Sequence, residues 1–128
     1  MANLTKVPSH ISQIVHVCAH HKKPRKLVTT LQKIRRDEEQ ERQQQQDEGK
    51  RRRQQGGLLI VFFKTIKVLK YMSKLLTTQE GMKLTELHSH MPQTQRESSL
   101  KDFRASKVIT LLATDIAARG IHIANVRY

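Results

Sequence analysis

The pattern of apolar and polar positions changes twice along the first half of the chain. Residues 11–19 alternate loosely and are rich in β-branched side chains, which predicts a strand over about 13–18. Pro24 stands where a helix can begin, since its missing N–H costs nothing in the first turn. Four apolar residues follow at helical spacing and form one face: Leu27, Val28, Leu31 and Ile34.

Residues 35–55 break this pattern, because they contain no aliphatic or aromatic side chain. Such a segment cannot bury apolar surface against its ordering entropy. We therefore predict a solvated, Gln-rich insertion that is disordered or extends the preceding helix for a few turns. Its basic run, residues 50–53, is either a solvated charge cluster or a nuclear import signal or phosphate contact.

After Gly56 and Gly57 the apolar pattern alternates regularly between strand and helix. It predicts strands at 58–63, 83–87 and 108–113, helices at about 65–79 and 92–104, a helical turn from 115 to 120, and a further strand beginning at 126–128. Thr65 is the expected cap of the first of these helices, and Gly81 its end. The expected inward residues are Ile66, Leu69, Met72, Leu75, Leu76, Leu100 and Phe103.

This order of elements indicates an α/β fold in which a parallel sheet is covered by helices on both faces. In such sheets ligands bind beyond the carboxyl ends of the strands. The loops in which to look for chemistry are therefore 63–65, 88–93 and 113–120.

Charge indicates the kind of partner. The chain carries a net charge of +13, and the insertion, with seven basic and six acidic residues, holds only +1 of it. The remaining +12 favours a polyanion such as nucleic acid as the partner, although a merely soluble basic surface is the alternative.

No apolar run is long enough to span a membrane, and no secretory signal opens the chain. The single cysteine, Cys18, fits a reducing compartment, so we expect a nuclear or cytoplasmic protein and no membrane partner.

Each of the three loop regions named above carries a sequence that resembles a motif of one protein family. Residues 59–65, LIVFFKT, resemble helicase motif IV; residues 93–96, QTQR, match a QxxR motif; and residues 113–120, ATDIAARG, match motif V. In this order, from about residue 9 to 128, the chain resembles the C-terminal RecA-like domain of DEAD-box RNA helicases. The resemblance implies domain parts at 1–34 and 56–128, separated by the insertion at 35–55 and ending before motif VI.

The residues of these motifs suit phosphate binding on physical grounds as well. Thr114 and Asp115 stand where a strand meets a helix N-terminus, whose free N–H groups favour a phosphate. Arg119 would add a charged fork and Gly120 would allow close backbone approach. A simple helix cap is the alternative for Thr114 and Asp115, although it does not explain Arg119 and Gly120, and an ion pair with a nearby carboxylate is the alternative for Arg96. The resemblance implies contacts with the sugar–phosphate backbone of RNA by these residues: Thr65, Gln93, Arg96, Thr114, Asp115, Arg119 and Gly120.

One position departs from the family. Where motif V usually continues to an aspartate that contacts the ATP ribose, this chain has His122. A neutral imidazole can still hydrogen-bond a ribose hydroxyl, so His122 is the candidate cofactor-binding residue in place of the usual aspartate. Two closely spaced histidine pairs, His20–His21 and His88 with His90, lack cysteine or carboxylate partners at a recognised metal-ligand spacing, so no metal site is predicted.

The chain contains neither a G-x-x-x-x-G-K-[ST] phosphate loop nor a DEAD sequence. By resemblance, those elements belong to an N-terminal RecA-like domain that would bind ATP and Mg²⁺ together with this one. We expect no catalytic residue here, and we expect the chain to be an inactive part of an ATP-dependent RNA helicase. The alternative is a short, non-catalytic module that binds RNA or another helicase.

Overall fold

A computed structural model describes residues 14–46 and 57–115 of the chain. A 3-10 turn, His20–Lys22, leads into helix α1, Lys23–Gln46. Strand β1, Leu59–Phe63, helix α2, Ile66–Gln79, strand β2, Thr85–Leu87, helix α3, Gln93–Arg104, and strand β3, Thr110–Thr114, follow in that order. The predicted α/β fold class is confirmed.

The three strands form a parallel sheet in the order β1–β3–β2, so that the last strand lies in the middle. Leu59 is the register partner of Thr110, and Phe63 is the partner of Thr114. On the other side of β3, Leu87 is the partner of Ala113. The five residues of β3 are all buried, as a central strand covered on both faces requires.

The core has two parts, one on each face of the sheet. Helices α1 and α2 cover one face, where Leu31, Leu69, Met72 and Leu76 pack against Leu59, Phe63 and Leu112. On the opposite face, Phe103 of α3 is fully buried with Leu58, Leu87, Leu111 and Ala113. The helical periodicities read from the sequence therefore identified the inward faces correctly.

The predicted strand at 13–18 is wrong for residues 14–18, which have no regular secondary structure. Ile14, Val15 and Val17 are exposed in the structure. β-branched residues favour a strand only where neighbouring strands supply pairing and packing. Within the described residues, β1 and β2 both pair with β3 alone, so residues 14–18 have no strand beside them.

Helix α1 continues through the first half of the predicted insertion, which agrees with the expected helical extension. Two of its polar residues bind the sheet at the strands' amino ends. Arg35 donates hydrogen bonds to the Gly57 carbonyl (3.2 Å) and the Thr110 hydroxyl (2.9 Å), and it pairs with Glu38 (2.8 Å). Glu38 is buried and accepts the Gly57 N–H at 2.7 Å. We call these four residues the amino-edge clasp.

The ends of α2 form as the sequence predicts. The Thr65 hydroxyl accepts the Val68 N–H at 3.3 Å and caps the helix. At the other end Gly81 adopts φ +62°, a conformation that costs glycine little, and the Met82 N–H bonds the Leu76 carbonyl. None of the described helices combines the length and apolar character that a membrane span needs.

Candidate nucleic-acid interface

Parallel pairing places the ends of the three strands at one edge of the sheet. Phe63, Leu87 and Thr114 each end a strand, and the registers set Phe63 beside Thr114 and Leu87 beside Ala113, one residue earlier in β3. The chain leaves this carboxyl edge through Thr65, through residues 88–92 and through Asp115. The three segments that carry the helicase-like motifs thus leave the sheet at one edge, as predicted, and the third of them is described only as far as Asp115.

The two threonines at this edge have different surroundings. Thr65 is exposed and its hydroxyl caps α2, so it stands at a helix N-terminus with free N–H groups nearby. Thr114 is 7% exposed at the end of β3, followed by the exposed Asp115. The other predicted residues of this loop, Arg119, Gly120 and His122, lie outside the described residues.

The first turn of α3 carries the QxxR pair. Gln93 opens the helix after Pro92 and donates to the Glu97 carboxylate at 3.3 Å. Arg96 lies one turn later, is half-buried, and donates its backbone N–H to the Pro92 carbonyl. Residues three apart share a helix face, so the Gln93 amide and the Arg96 guanidinium lie on the same side of α3.

His88 is a residue of this edge that sequence reasoning considered only as a metal ligand and did not include among the predicted site residues. It follows β2 directly, is only 4% exposed, and its Nδ1 atom has no hydrogen-bond partner in the structure. Burial lowers the pKa of His88 below 6.5; the nearby carboxylate of Glu86 opposes this shift, whereas Lys70, His90 and Arg96 add to it. The His90 ring stands edge-on to His88, with the centroids 6.3 Å apart.

Burial and the nearby basic side chains of Lys70 and Arg96 disfavour the protonated form of His88, whereas the Glu86 carboxylate favours it. Lys70 reaches this region from α2 and Arg96 from α3. The carboxyl edge therefore holds two basic side chains of the kind that attract phosphate, Lys70 and Arg96, together with the Glu86 carboxylate. The available signal in the sequence was the position of His88 directly after a strand of a parallel sheet.

No three histidine, cysteine or acidic side chains in residues 14–46 and 57–115 are grouped so that they could hold a metal ion. What the described carboxyl edge offers instead is hydroxyls, an amide, a guanidinium and a helix N-terminus. These groups donate hydrogen bonds to anions and fit phosphate oxygens. The arrangement suits binding of a phosphodiester backbone.

Comparison with known proteins agrees with this geometry. The model of the family described as helicase conserved C-terminal domain matches residues 42–128, which is more than half of the chain. The chain belongs to the helicase conserved C-terminal domain family. The matched part of this helicase domain includes β1, β2 and β3, and so contains the whole carboxyl edge described above.

The curated relatives of this helicase domain are ATP-dependent RNA helicases. It is 44% identical over 65 residues to DEAD-box ATP-dependent RNA helicase 36 of Oryza sativa subsp. japonica, covering 51% of this chain and 13% of that protein. It is 33% identical over 118 residues to the probable ATP-dependent RNA helicase ddx5 of Dictyostelium discoideum, covering 92% of this chain and 14% of that protein. The chain thus spans about one seventh of the length of these relatives.

A solved structure shows the same relationship. The domain is 31% identical to S. cerevisiae Dbp5 bound to RNA and ADP BeF3, with a TM-score of 0.51 over 55% of this chain and 18% of that one. The helicase resemblance and the RecA-like fold read from the motifs are therefore confirmed, and the family is one of nucleotide-dependent RNA helicases.

Proposed function

We propose that this domain holds the sugar–phosphate backbone of RNA and forms one wall of the ATP cleft of an ATP-dependent RNA helicase. The observation that carries the proposal is the sheet register, which places Thr65, Thr114 and the first turn of α3 at one edge. An N-terminal RecA-like domain is the partner that would supply the phosphate loop and the Mg²⁺ site. The single cysteine supports a place of action in the nucleus or cytoplasm.

The groups available at this edge also define the mode of recognition. Thr65, Gln93, Arg96, Thr114 and Asp115 offer bonds to phosphate and ribose oxygens, and the α2 N-terminus adds N–H donors. Contacts of this kind fix the position of a strand and carry little sequence information. The proposed role is therefore to hold any RNA strand of suitable shape while ATP binding and hydrolysis open and close the domain pair.

Replacing Arg96 tests the proposed function directly. We expect Arg96→Ala to weaken binding of a fluorescein-labelled 12-nucleotide RNA by roughly 10- to 100-fold, because a charge-assisted hydrogen bond is worth about 1.5–3 kcal/mol. Fluorescence anisotropy at low salt measures the affinity, and circular dichroism checks that the variant is folded.

Two substitutions in the same helix serve as controls. Arg104→Ala removes the same side chain at the opposite end of α3, and Lys101→Ala removes an exposed lysine there. Arg104 and Lys101 would attract RNA only through charge that salt screens. We therefore expect each substitution to weaken RNA binding by less than about twofold. Equal losses for Arg96, Arg104 and Lys101 would mean that ordinary basic surface, and no built groove, attracts the RNA.

A further inference from the structure

The outer face of α2 has an unusual composition. Residues 57–79 contain four lysines and no acidic residue, and three of the lysines lie on α2. Lys67, Lys70 and Lys74 are all exposed, and no ion pair involves them in the described part of the chain. Their charge is therefore not neutralised by the domain itself.

These lysines share one side of the helix with Tyr71. At 100° per residue, Lys67, Lys70, Tyr71 and Lys74 fall within an arc of about 100°, opposite the buried Leu69, Met72 and Leu76. We call these four residues the lysine–tyrosine face. It extends about 10 Å along the helix, from Lys67 to Lys74.

Tyr71 is the second observation. It is 58% exposed, so most of its ring faces solvent in the middle of a row of lysines. Val68, which lies one turn earlier in α2, is 48% exposed. An accessible aromatic ring between positive charges is the combination that binds single-stranded nucleic acid, because bases stack on the ring while phosphates meet the cations.

The lysine–tyrosine face is continuous with the carboxyl edge. Helix α2 begins at this edge with its cap Thr65, and Lys67 lies in its first turn. Lys70 lies close enough to His88 for its charge to lower the pKa of that residue, and Arg96 of the QxxR motif acts on the same imidazole. Basic side chains of both helices, Lys70 of α2 and Arg96 of α3, thus act on the same residue at this edge, together with the Glu86 carboxylate.

We propose that the lysine–tyrosine face binds the RNA strand where it leaves the carboxyl edge, with the three lysines on phosphates and the Tyr71 ring stacked on a base. This inference rests on the proposed RNA-binding function and extends it to a second surface. RNA matches both features of this face, because its phosphates meet the lysines while its bases stack on the accessible ring, and this favours RNA as the occupant.

The test uses the whole 128-residue chain and two labelled oligouridylates, of 5 and 15 nucleotides. Lys67→Gln, Lys70→Gln and Lys74→Gln together should weaken binding of the longer RNA and lower the slope of log affinity against log salt by about 2, since each phosphate contact contributes roughly 0.7. The shorter RNA, which fills the carboxyl edge alone, should change little.

The matched control removes three exposed lysines elsewhere: Lys26→Gln, Lys33→Gln and Lys101→Gln. Both triple variants have the same net charge, so only the position of the lost charges differs. An equal fall in slope for the two triple variants would overturn the inference, because it would show attraction by overall charge.

Tyr71 supplies an independent readout. Tyr71→Leu should weaken binding of the longer RNA about tenfold, whereas Tyr71→Phe keeps the ring and should bind nearly as the original chain does. The chain has two tyrosines and no tryptophan, so a Tyr128→Phe variant reports on Tyr71 alone by its fluorescence. Quenching of that fluorescence by the longer RNA supports stacking, and an unchanged signal overturns it.

The possible outcomes separate this inference from the function on which it rests. A loss for Arg96→Ala with no loss for the Tyr71 and lysine variants overturns the lysine–tyrosine face and leaves the carboxyl edge as the site. Oligoglutamate that competes as well as RNA of equal charge would assign the face to an acidic protein and also overturns the inference. A loss for Tyr71→Leu without one for Arg96→Ala supports α2 as a binding surface and contradicts the proposed role of the carboxyl edge.

Discussion

At the scale of single residues, burial decides which polar groups matter to the fold. His88 and Glu38 are almost as buried as the apolar core, with 4% and 3% exposure. Glu38 is satisfied by Arg35 and by the Gly57 N–H, whereas His88 keeps a buried Nδ1 atom without a partner. Protonation would put a charge on this buried imidazole, whose Nδ1 atom has no partner, and burying such a charge is unfavourable. The stability of the carboxyl edge therefore depends on pH through His88.

Stability should fall in mild acid because of His88. Its folded pKa is lowered below 6.5, chiefly by burial, so the unfolded chain binds the proton more tightly. Neutral His88 therefore makes its full contribution to the free energy of unfolding above pH 6.5. As the pH falls below 6.5 this contribution is lost, by at most about 1.4 kcal/mol per pH unit. Urea unfolding followed by circular dichroism from pH 5 to 7.5 measures this slope.

The matched variants are His88→Asn and His21→Gln. The first should flatten the pH dependence, whereas the second, at an exposed histidine of the 3-10 turn that does not act on His88, should preserve it. The same slope in the His88 variant as in the original chain would show that other groups cause it.

Sequence reasoning identified the apolar core residues better than the buried polar ones. Leu69, Met72 and Phe103 followed from helical spacing, since apolar periodicity directly reports the buried face. Glu38 lies in a segment without apolar residues, and its burial depends on Gly57 and Thr110, which are distant in sequence. No local pattern reveals such a partnership. The site residues predicted from the motifs remain predictions until variants test them.

At the scale of elements, α1 consists of two functionally different halves. Its first half packs Leu27, Val28 and Leu31 on the sheet, and Arg35 and Glu38 complete the amino-edge clasp. Beyond Glu38 the residues up to 44 are exposed. The element therefore joins a core helix to a solvated extension, and the boundary between them lies at Glu38, a few residues later than the apolar pattern suggested.

Only the part of the insertion that follows Glu38 should be dispensable for the stability of the fold. Replacing residues 40–54 with a short Gly/Ser linker should change the free energy of unfolding by less than about 1 kcal/mol, because Glu38 and Gly57 still meet and loop length matters little. Replacing residues 37–54 removes Glu38 as well, and should cost about 2–3 kcal/mol through the unpaired groups it leaves.

Point substitutions separate the clasp from the length of the segment. Glu38→Ala should reproduce the loss of stability, whereas Glu39→Ala, at an exposed position one residue later, should not. Denaturant unfolding of the four proteins provides the measurement. A large loss after replacing residues 40–54 alone would show that this segment packs against the domain.

At the scale of the whole molecule, the predicted topology was largely correct because the same sequence pattern, a strand followed by a helix, recurs along the chain. Buried apolar runs alternating with amphipathic helices left few parallel arrangements to consider. The strand at 13–18 failed because pairing, which the sequence of that segment does not encode, decides whether a β-branched run becomes a strand. The shortness of β2, Thr85–Leu87, also depends on its position at the side of the sheet.

The purified chain should not hydrolyse ATP, with or without RNA. Phosphoryl transfer requires a phosphate cradle and a metal site, and the 128 residues contain neither a G-x-x-x-x-G-K-[ST] loop nor a DEAD sequence. A steady-state phosphate-release assay with a heat-denatured control measures this. RNA-stimulated turnover above that control would show that the chain carries its own catalytic machinery.

The middle position of β3 has a consequence for synthesis on the ribosome. β1 and β2 bond only to β3 in the described structure, so the sheet does not exist until Thr110–Thr114 has been made. At roughly 5–20 residues per second, β1 waits for several seconds with Leu59 and Phe63 uncovered by their central neighbour. Newly made chains are thus prone to aggregate during that interval. A pause in translation before Thr110 would lengthen the time during which chaperones must protect them.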